Sequence, residues 1–376
     1  MDDTAQREVL SFYYRSFAND IGLLTGRDLR DSDVAEGPPM EIADLSGEPL
    51  FKDFQITDGH GKHIGVIRSS ARDGSFAVVD SIMIGALPID GPTMTAAVIE
   101  QARNDFPGAS VSADMVVCYG YPRIGVAVKV AQASNLLSVV YDVFTLHKVR
   151  AWKGDALPEG SEAGDREGEP FYSCLDRIPE GAGETSEAWD RSLAFAQERL
   201  SSAKTKLAPE DMPSIRGSLL PVELIAQETP VYCAVASTVM ILSYLGFGRL
   251  EQLDVARALG TGPAGTTNGG MKAGLNALTA GAWGGMVVSK PTFELQVDYL
   301  QHLWPAKSGI PGHARVLRGW REYVYRKART GETSHRESFY IINDPYPVGS
   351  GQIVLENTVK PISDFYQNML NLAPTP

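Results

Sequence analysis

The sequence predicts an α+β protein in two domains, and three observations carry that prediction. Segments rich in Val, Ile and aromatic residues follow one another closely before residue 150. Segments with helical period stand apart from them, and a Gly-, Pro- and Glu-rich stretch divides the chain near its middle. Consecutive strands with short connections read as antiparallel sheet with helices packed on it, rather than a strand-by-strand alternation. A length of 376 residues fits two domains, each with enough chain to bury a core.

A short amphipathic helix is expected over about Ala5 to Phe17, before a polar stretch with Gly37-Pro38-Pro39. Leu50–Ile56 then leads through Asp58-Gly59 and Gly61, a turn signal, into Ile64–Ser69. Four more strand-like segments follow: Phe76–Met83, Val111–Tyr119, Ile124–Ala131 and Ser138–Leu146. One helix interrupts them, opened by Pro92-Thr93, with Ala96, Val98, Ile99, Ala102 and Phe106 on its apolar face.

From Lys153 to about Ser186 large apolar residues are scarce apart from Phe171-Tyr172, which reads as a linker or exposed loop. Ser186 to about Lys206 is helical in pattern, with Trp189, Leu193, Ala196 and Leu200 along one side. The expected division is therefore 1–150, an α+β domain; 151–211, an acidic linker plus helix; and 212–376, the second domain.

The totals exclude several function classes. With 34 basic and 46 acidic residues the net charge is −12, which argues against a general binder of nucleic acid or anionic membrane. The acidic start, Met1-Asp2-Asp3-Thr4, has no apolar run behind it of the kind a signal peptide needs. No uninterrupted apolar run of about 18 residues occurs, so no membrane-spanning segment is expected. The expected location is cytoplasmic, or outside the cell by a signal-independent route. Three widely spaced cysteines, Cys118, Cys174 and Cys233, support neither a disulfide scaffold nor a Cys-rich zinc site.

The informative segment runs from Gln227 through Thr229-Pro230 to Cys233-Ala234-Val235-Ala236-Ser237. Thr229-Pro230 is a plausible helix start, Val235, Val239, Leu242 and Leu245 form an apolar stripe, and Gly246 can end the helix. Cys233 then falls in the first turn, where the positive end of the helix dipole favours thiolate over thiol. A free Cys in such a place is usually a small core residue. His313, on a strand after Gly312, is alone more often structural than catalytic. Asp344, closing the apolar run Phe339-Tyr340-Ile341-Ile342-Asn343 before Pro345, is alone usually a turn former. The combination is far less common than its members. Together they supply a nucleophile, a base and an orienter, the three groups that nucleophilic catalysis uses.

These residues carry a resemblance to the papain-like cysteine peptidases, in the branch related to the double-glycine, bacteriocin-processing leader peptidases. The six-residue step from Gln227 to Cys233, then Ala236-Ser237, resembles the start of their central helix. Gly312-His313 with Gly319, and Asp344-Pro345 with Gly349 and Gly351, resemble their His and Asp-Pro strands. The similarity covers roughly Leu219 to Tyr366. Ala234 departs from it, since the leader peptidases usually have Gly there and papain an aromatic residue. No ABC-transporter part accompanies the domain.

The resemblance implies a stand-alone peptidase domain over 212–376, with the nucleophile's helix against an antiparallel sheet. It implies Cys233 as nucleophile, His313 as base, Asp344 as orienter and Gln227 in the oxyanion hole, with no metal or cofactor. Asn343 is the alternative orienter, as papain uses Asn. The expected partner is a peptide or protein substrate; oligomeric state is left open. The same thioester would also serve an acyltransferase or amide ligase, and an idle domain of this kind would bind peptides. In outline the first domain resembles the cystatin-like α+β modules that precede some bacterial papain-like peptidases, which implies a prodomain, a recruiting module or a cover.

Other features read more plainly. Gly260–Gly270 is a flexible loop, in papain-like folds a candidate wall of the substrate cleft, and His60 and His63 flank a solvated hairpin. Cys118 reads as buried and Cys174 as incidental. Arg315, Arg318 and Arg321 suit either a reader of acidic substrate or a solvated strand edge.

Overall fold

The computed structural model describes residues 1–375 except 86–90, 133–134, 152–169, 172–182, 203–211, 263–264, 290, 311, 328 and 361–367. Seven helices and seventeen strands are present among the described residues. The helices are α1 (Asp3–Thr25), α2 (Gly91–Asp105), α3 (Gly183–Ser202), α4 (Cys233–Tyr244), α5 (Gln252–Leu259), α6 (Asn268–Leu278) and α7 (Phe293–Gln301). The first strands are β1 (Asp33–Val34), β2 (Met40–Ala43), β3 (Pro49–Thr57), β4 (His63–Ser70) and β5 (Ser81–Ile84). After α2 come β6 (Ser110–Gly120), β7 (Arg123–Gln132), β8 (Asn135–Asp142), β9 (Lys148–Ala151) and β10 (Pro170–Phe171). The later strands are β11 (Ser214–Leu219), β12 (Trp283–Ser289), β13 (Ala306–Ile310), β14 (His313–Arg326), β15 (Thr333–Asp344), β16 (Gln352–Asn357) and β17 (Asn368–Pro374).

Pairing is continuous from one half of the chain to the other. From one edge the ladders run β12, β17, β13, β14, β15, β16. β16 then pairs with β5, placing Ile353 opposite Ile84 and Glu356 opposite Ser81. The sheet continues through β4, β3, β2, β6, β7, β8 and β9. The far half of β14 bonds β11 where β13 has ended. The two segments that the linker separates in sequence thus share one curled, mostly antiparallel sheet.

Side-chain alternation explains why β15 is apolar without a break. Successive residues of a strand point to opposite faces. Phe339 and Ile341 enter one core with α1 and α3, whereas Tyr340 and Ile342 enter another with α4, α5 and α6. The strand is covered on both sides, so no polar face is needed. Gly319 marks a close approach in β14: a Cβ there would lie 2.5 Å from the Ser218 carbonyl oxygen of β11.

Several local expectations need correction. α1 continues well past Phe17 to Thr25 and ends at Gly26, whose φ of 68° a side chain would disfavour. Its polar Asp20, which disguises the period, is buried and accepts from Arg321 Nε and Tyr323 Oη, both at 2.9 Å. Of Phe76–Met83 only Ser81 onward is strand; Phe76–Val79 are buried without a ladder. There Asp80 anchors the chain by accepting from Tyr121 Oη (3.0 Å) and Lys360 Nζ (2.7 Å).

Arg315 and Arg318 are buried, so neither a solvated edge nor a substrate reader describes them. Arg315 forks onto Glu356 at 2.7 and 2.9 Å, and Arg318 donates to the Leu24 carbonyl at 3.2 Å. Most of the expected linker, and Cys174 and Tyr172 with it, lie outside the described residues. No described helix is long and apolar enough to cross a membrane.

Candidate active site

α4 begins at Cys233 itself, not at Thr229-Pro230, which form the turn leading into it. Residues Ala234 to Leu242 are buried around the whole circumference rather than along one stripe, as in a helix enclosed by its domain. Thr238 satisfies its hydroxyl inside that apolar setting by donating to the Ala234 carbonyl at 2.8 Å. Cys233, at the exposed end of the enclosed helix, stays half-buried. Cys118 is buried.

His313 is the first residue of β14 and Asp344 the last of β15. The strands are antiparallel neighbours with Val316 opposite Asn343, so both residues fall at the same end of the hairpin, and α4 packs against β14 there. His313 Nε2 lies 2.7 Å from Asp344 Oδ1, with both side chains at 1% exposure or less. The Tyr346 N–H donates to the same oxygen at 2.9 Å. Asn343, the alternative orienter, turns the other way and donates through Nδ2 to the Val222 carbonyl at 2.9 Å. With Nε2 engaged by the carboxylate, Nδ1 is the ring nitrogen left free of Asp344.

The charges at this site are set by their neighbours. Burial alone would raise the Cys233 thiol. The hydrogen bond and charge of His313, the nearby Arg123 guanidinium and the Ala314 N–H outweigh it and lower the thiol from 9.0 to about 6. Burial pushes the His313 imidazole down, but the Asp344 carboxylate and Cys233 together raise it above its ordinary value. The two groups are coupled, and both directions favour a thiolate beside an imidazolium.

Gln227 is buried and held by its own backbone: its N–H donates to the Pro345 carbonyl and its carbonyl accepts from the Gly349 N–H, each at 3.0 Å. Its Nε2 donates to the Thr229 carbonyl at 2.7 Å. Gln252 braces the same loop, donating to the Ala226 carbonyl (2.7 Å) and accepting from the Glu228 N–H (3.1 Å). The Gly-rich loop closes α5 at Gly260 and opens α6 at Thr267, whose hydroxyl accepts from the Gly270 N–H. A Cβ on Gly265 would lie 3.7 Å from the Val231 carbonyl, so this loop sits beside the approach to Cys233. Asp58, by contrast, serves its turn, accepting from the His60 and Lys62 N–H groups at 2.9 Å.

Four residues of this neighbourhood escape sequence reasoning: Gln252, Arg123, Asp142 and Tyr346. Arg123 Nη2 donates to the Gly312 carbonyl at 2.9 Å and lies 3.3 Å from His313 Nδ1. Tyr346 sets its ring edge-to-face with His313, centroids 6.3 Å apart, and donates through Oη to Asp142 at 2.8 Å. Only Tyr346 had a nearby signal, its place two residues after Asp344.

Part of the chain is similar to solved structures of peptidase domains. One is a double glycine motif protease from an AMS/PCAT transporter in complex with the leader peptide. It is 16% identical with a TM-score of 0.28, over 42% of this chain and 95% of that one. Another is the peptidase domain of Streptococcus ComA, a bi-functional ABC transporter involved in a quorum-sensing pathway. It is 15% identical with a TM-score of 0.28, over 41% of this chain and 99% of that one. No protein-family model matches the chain, and a search of curated proteins gives no match.

Proposed function

We propose that the chain is a cysteine peptidase that cleaves a peptide bond through a thioester acyl-enzyme. In this reading residues 212–376 supply Cys233 as nucleophile, His313 as acid and base, Asp344 as orienter and Gln227 as oxyanion donor. The observation that carries it is the buried His313–Asp344 pair, 2.7 Å apart at Nε2, with an imidazole that lowers the Cys233 thiol. That is the nucleophile–base–orienter chain of acyl transfer.

The Cys233 thiolate attacks the scissile carbonyl carbon, forming the C–S bond as the carbonyl π-electrons move to oxygen. The Cys233 N–H and the Gln227 side-chain amide donate to that oxyanion. As the C–N bond breaks, the His313 imidazolium protonates the leaving amine. The neutral imidazole then takes a proton from water, which attacks the thioester and releases the carboxylic acid and the thiolate. Asp344 holds Nε2–H throughout, keeping Nδ1 toward the sulfur.

Iodoacetamide or an epoxide probe, followed by mass mapping, should label Cys233 in preference to the buried Cys118, and labelling should vanish in Cys233→Ala. A peptide library incubated with the wild type should give cleavage absent from that variant. Transfer of the acyl group only to amines would make the protein a transferase. Labelling without any turnover would make it a peptide-binding domain.

A further inference from the structure

In sequence, Arg123 belongs to the segment before the linker, 190 positions from His313. In space it reaches the middle of the candidate site. Its Nη2 donates to the carbonyl of Gly312 at 2.9 Å and stands 3.3 Å from His313 Nδ1, the ring atom that Asp344 does not engage. Gly312 has a left-handed φ of 67°, so this bond fixes the one flexible joint directly ahead of the base.

The groups around Arg123 come from four elements. Tyr119 lies at the end of β6, Asp142 at the end of β8, Tyr346 just past β15, and Cys233 at the start of α4. Asp142 is a hub with no spare acceptor. One oxygen takes Tyr119 Oη (2.6 Å) and Tyr346 Oη (2.8 Å). The other takes Thr145 Oγ1 and the Phe144 and Thr145 N–H groups at 2.7 to 3.0 Å. Burial raises both tyrosines well above their ordinary values, so they remain neutral donors. Asp142 and the Cys233 sulfur are thus the negative groups that act on the guanidinium, and the His313 ring lies against it.

We propose that Arg123 is a positioning residue of the active centre and counter-charge to the Cys233 thiolate, so that the segment before the linker completes the site. This rests on the peptidase reading and deepens it. A prodomain that covers a finished site would leave the thiolate indifferent to its removal. Here the covering segment supplies a cation that the nucleophile uses.

Three full-length variants test it through the pH dependence of iodoacetamide alkylation at Cys233, which needs no substrate. Arg123→Met removes charge and donor. Arg123→Gln removes the charge but keeps a donor for Gly312, and serves if Met fails to melt cooperatively. Both should move the acid limb of alkylation up by about one pH unit, the size expected for losing an opposite charge at close range. Arg123→Lys should restore most of that shift. An unshifted limb in a folded Met or Gln variant overturns the proposal, because a merely structural arginine would not set the thiol. A wild type whose Cys233 alkylates only with an ordinary thiol profile would instead count against the peptidase reading itself.

Discussion

The backbone N–H of Gln227 donates to the carbonyl of Pro345, joining the loop ahead of the nucleophile to the residue that follows Asp344. The proposed oxyanion donor and the proposed orienter are therefore held in register by one main-chain bond. The return bond from the Gly349 N–H to the Gln227 carbonyl closes the pair.

Replacing Gln227 with Ala keeps both backbone bonds and deletes only the side chain. Turnover should fall by about 10² to 10³ with little change in KM, since the donor acts mainly in the transition state. Steady-state kinetics on a peptide found by library screening would check this. Near-normal turnover would show that Gln227 only decorates its loop.

The pH profile follows from the directions of the shifts. The thiol falls from 9.0 to about 6, so alkylation of Cys233 should lose half its rate near pH 6 rather than near 9. His313→Ala removes the hydrogen bond and charge that lower the thiol, and should move that limb toward the alkaline side. A limb unmoved by His313→Ala would separate the two residues.

Asp344 raises the imidazole, which keeps it protonated to higher pH. Asp344→Asn retains an acceptor for Nε2–H but removes that charge. The alkaline limb of kcat should therefore move down in pH while the acid limb of alkylation moves little. A kcat profile whose alkaline limb stays in place would assign that limb to another group.

Stability should respond to the Arg315–Glu356 pair, in which both side chains are fully buried. Glu356→Gln leaves a buried guanidinium without its counter-charge and should cost about 3–5 kcal/mol. The double change Arg315→Met with Glu356→Leu should recover most of it. Thermal melts of the single and double variants decide; equal losses in both would mean that volume, not charge, governs the site.

A chain starting at Glu187 loses β5, which pairs with β16, and α1, which covers Tyr323, Tyr325, Phe339 and Ile341. Uncovering four such side chains costs about 1.5–3 kcal/mol each, comparable in total with the roughly 5–15 kcal/mol of a whole fold. The expected product is a chain without a cooperative melt. A folded fragment with raised peptidase activity would instead mark residues 1–150 as a removable prodomain.

Much of this was legible in the residues. The strands from Leu50 and Ile64 and the helix opened by Pro92-Thr93 follow from β-branched content, Gly turns and period, which are local signals. The pairing of His313 with Asp344 was readable because a strand start and an Asp-Pro stop each leave a mark, and the helix that starts at Cys233 is marked likewise. The share of Arg123 in the site was not, for a guanidinium between two strands looks the same whether it faces water or a thiolate. The buried roles of Asp20 and Arg315 were hidden likewise, since each is explained by a partner 301 and 41 positions away. Continuity of the sheet through β5 and β16 is equally non-local: a four-residue strand, Ser81–Ile84, gives no hint of which strand it will meet.

The β14–β15 hairpin has two ends with unlike duties. His313 and Asp344 sit at one, while the other is a solvent-exposed turn in which the Lys327 N–H donates to the Glu332 carbonyl at 2.9 Å. With a rise near 3.4 Å per residue, the 14 residues of β14 put that turn about 45 Å of strand from His313. A fluorophore or affinity tag inserted there would ride on the same ribbon as the proposed base and orienter. It would report on the chemistry through a stiff lever without entering the cleft.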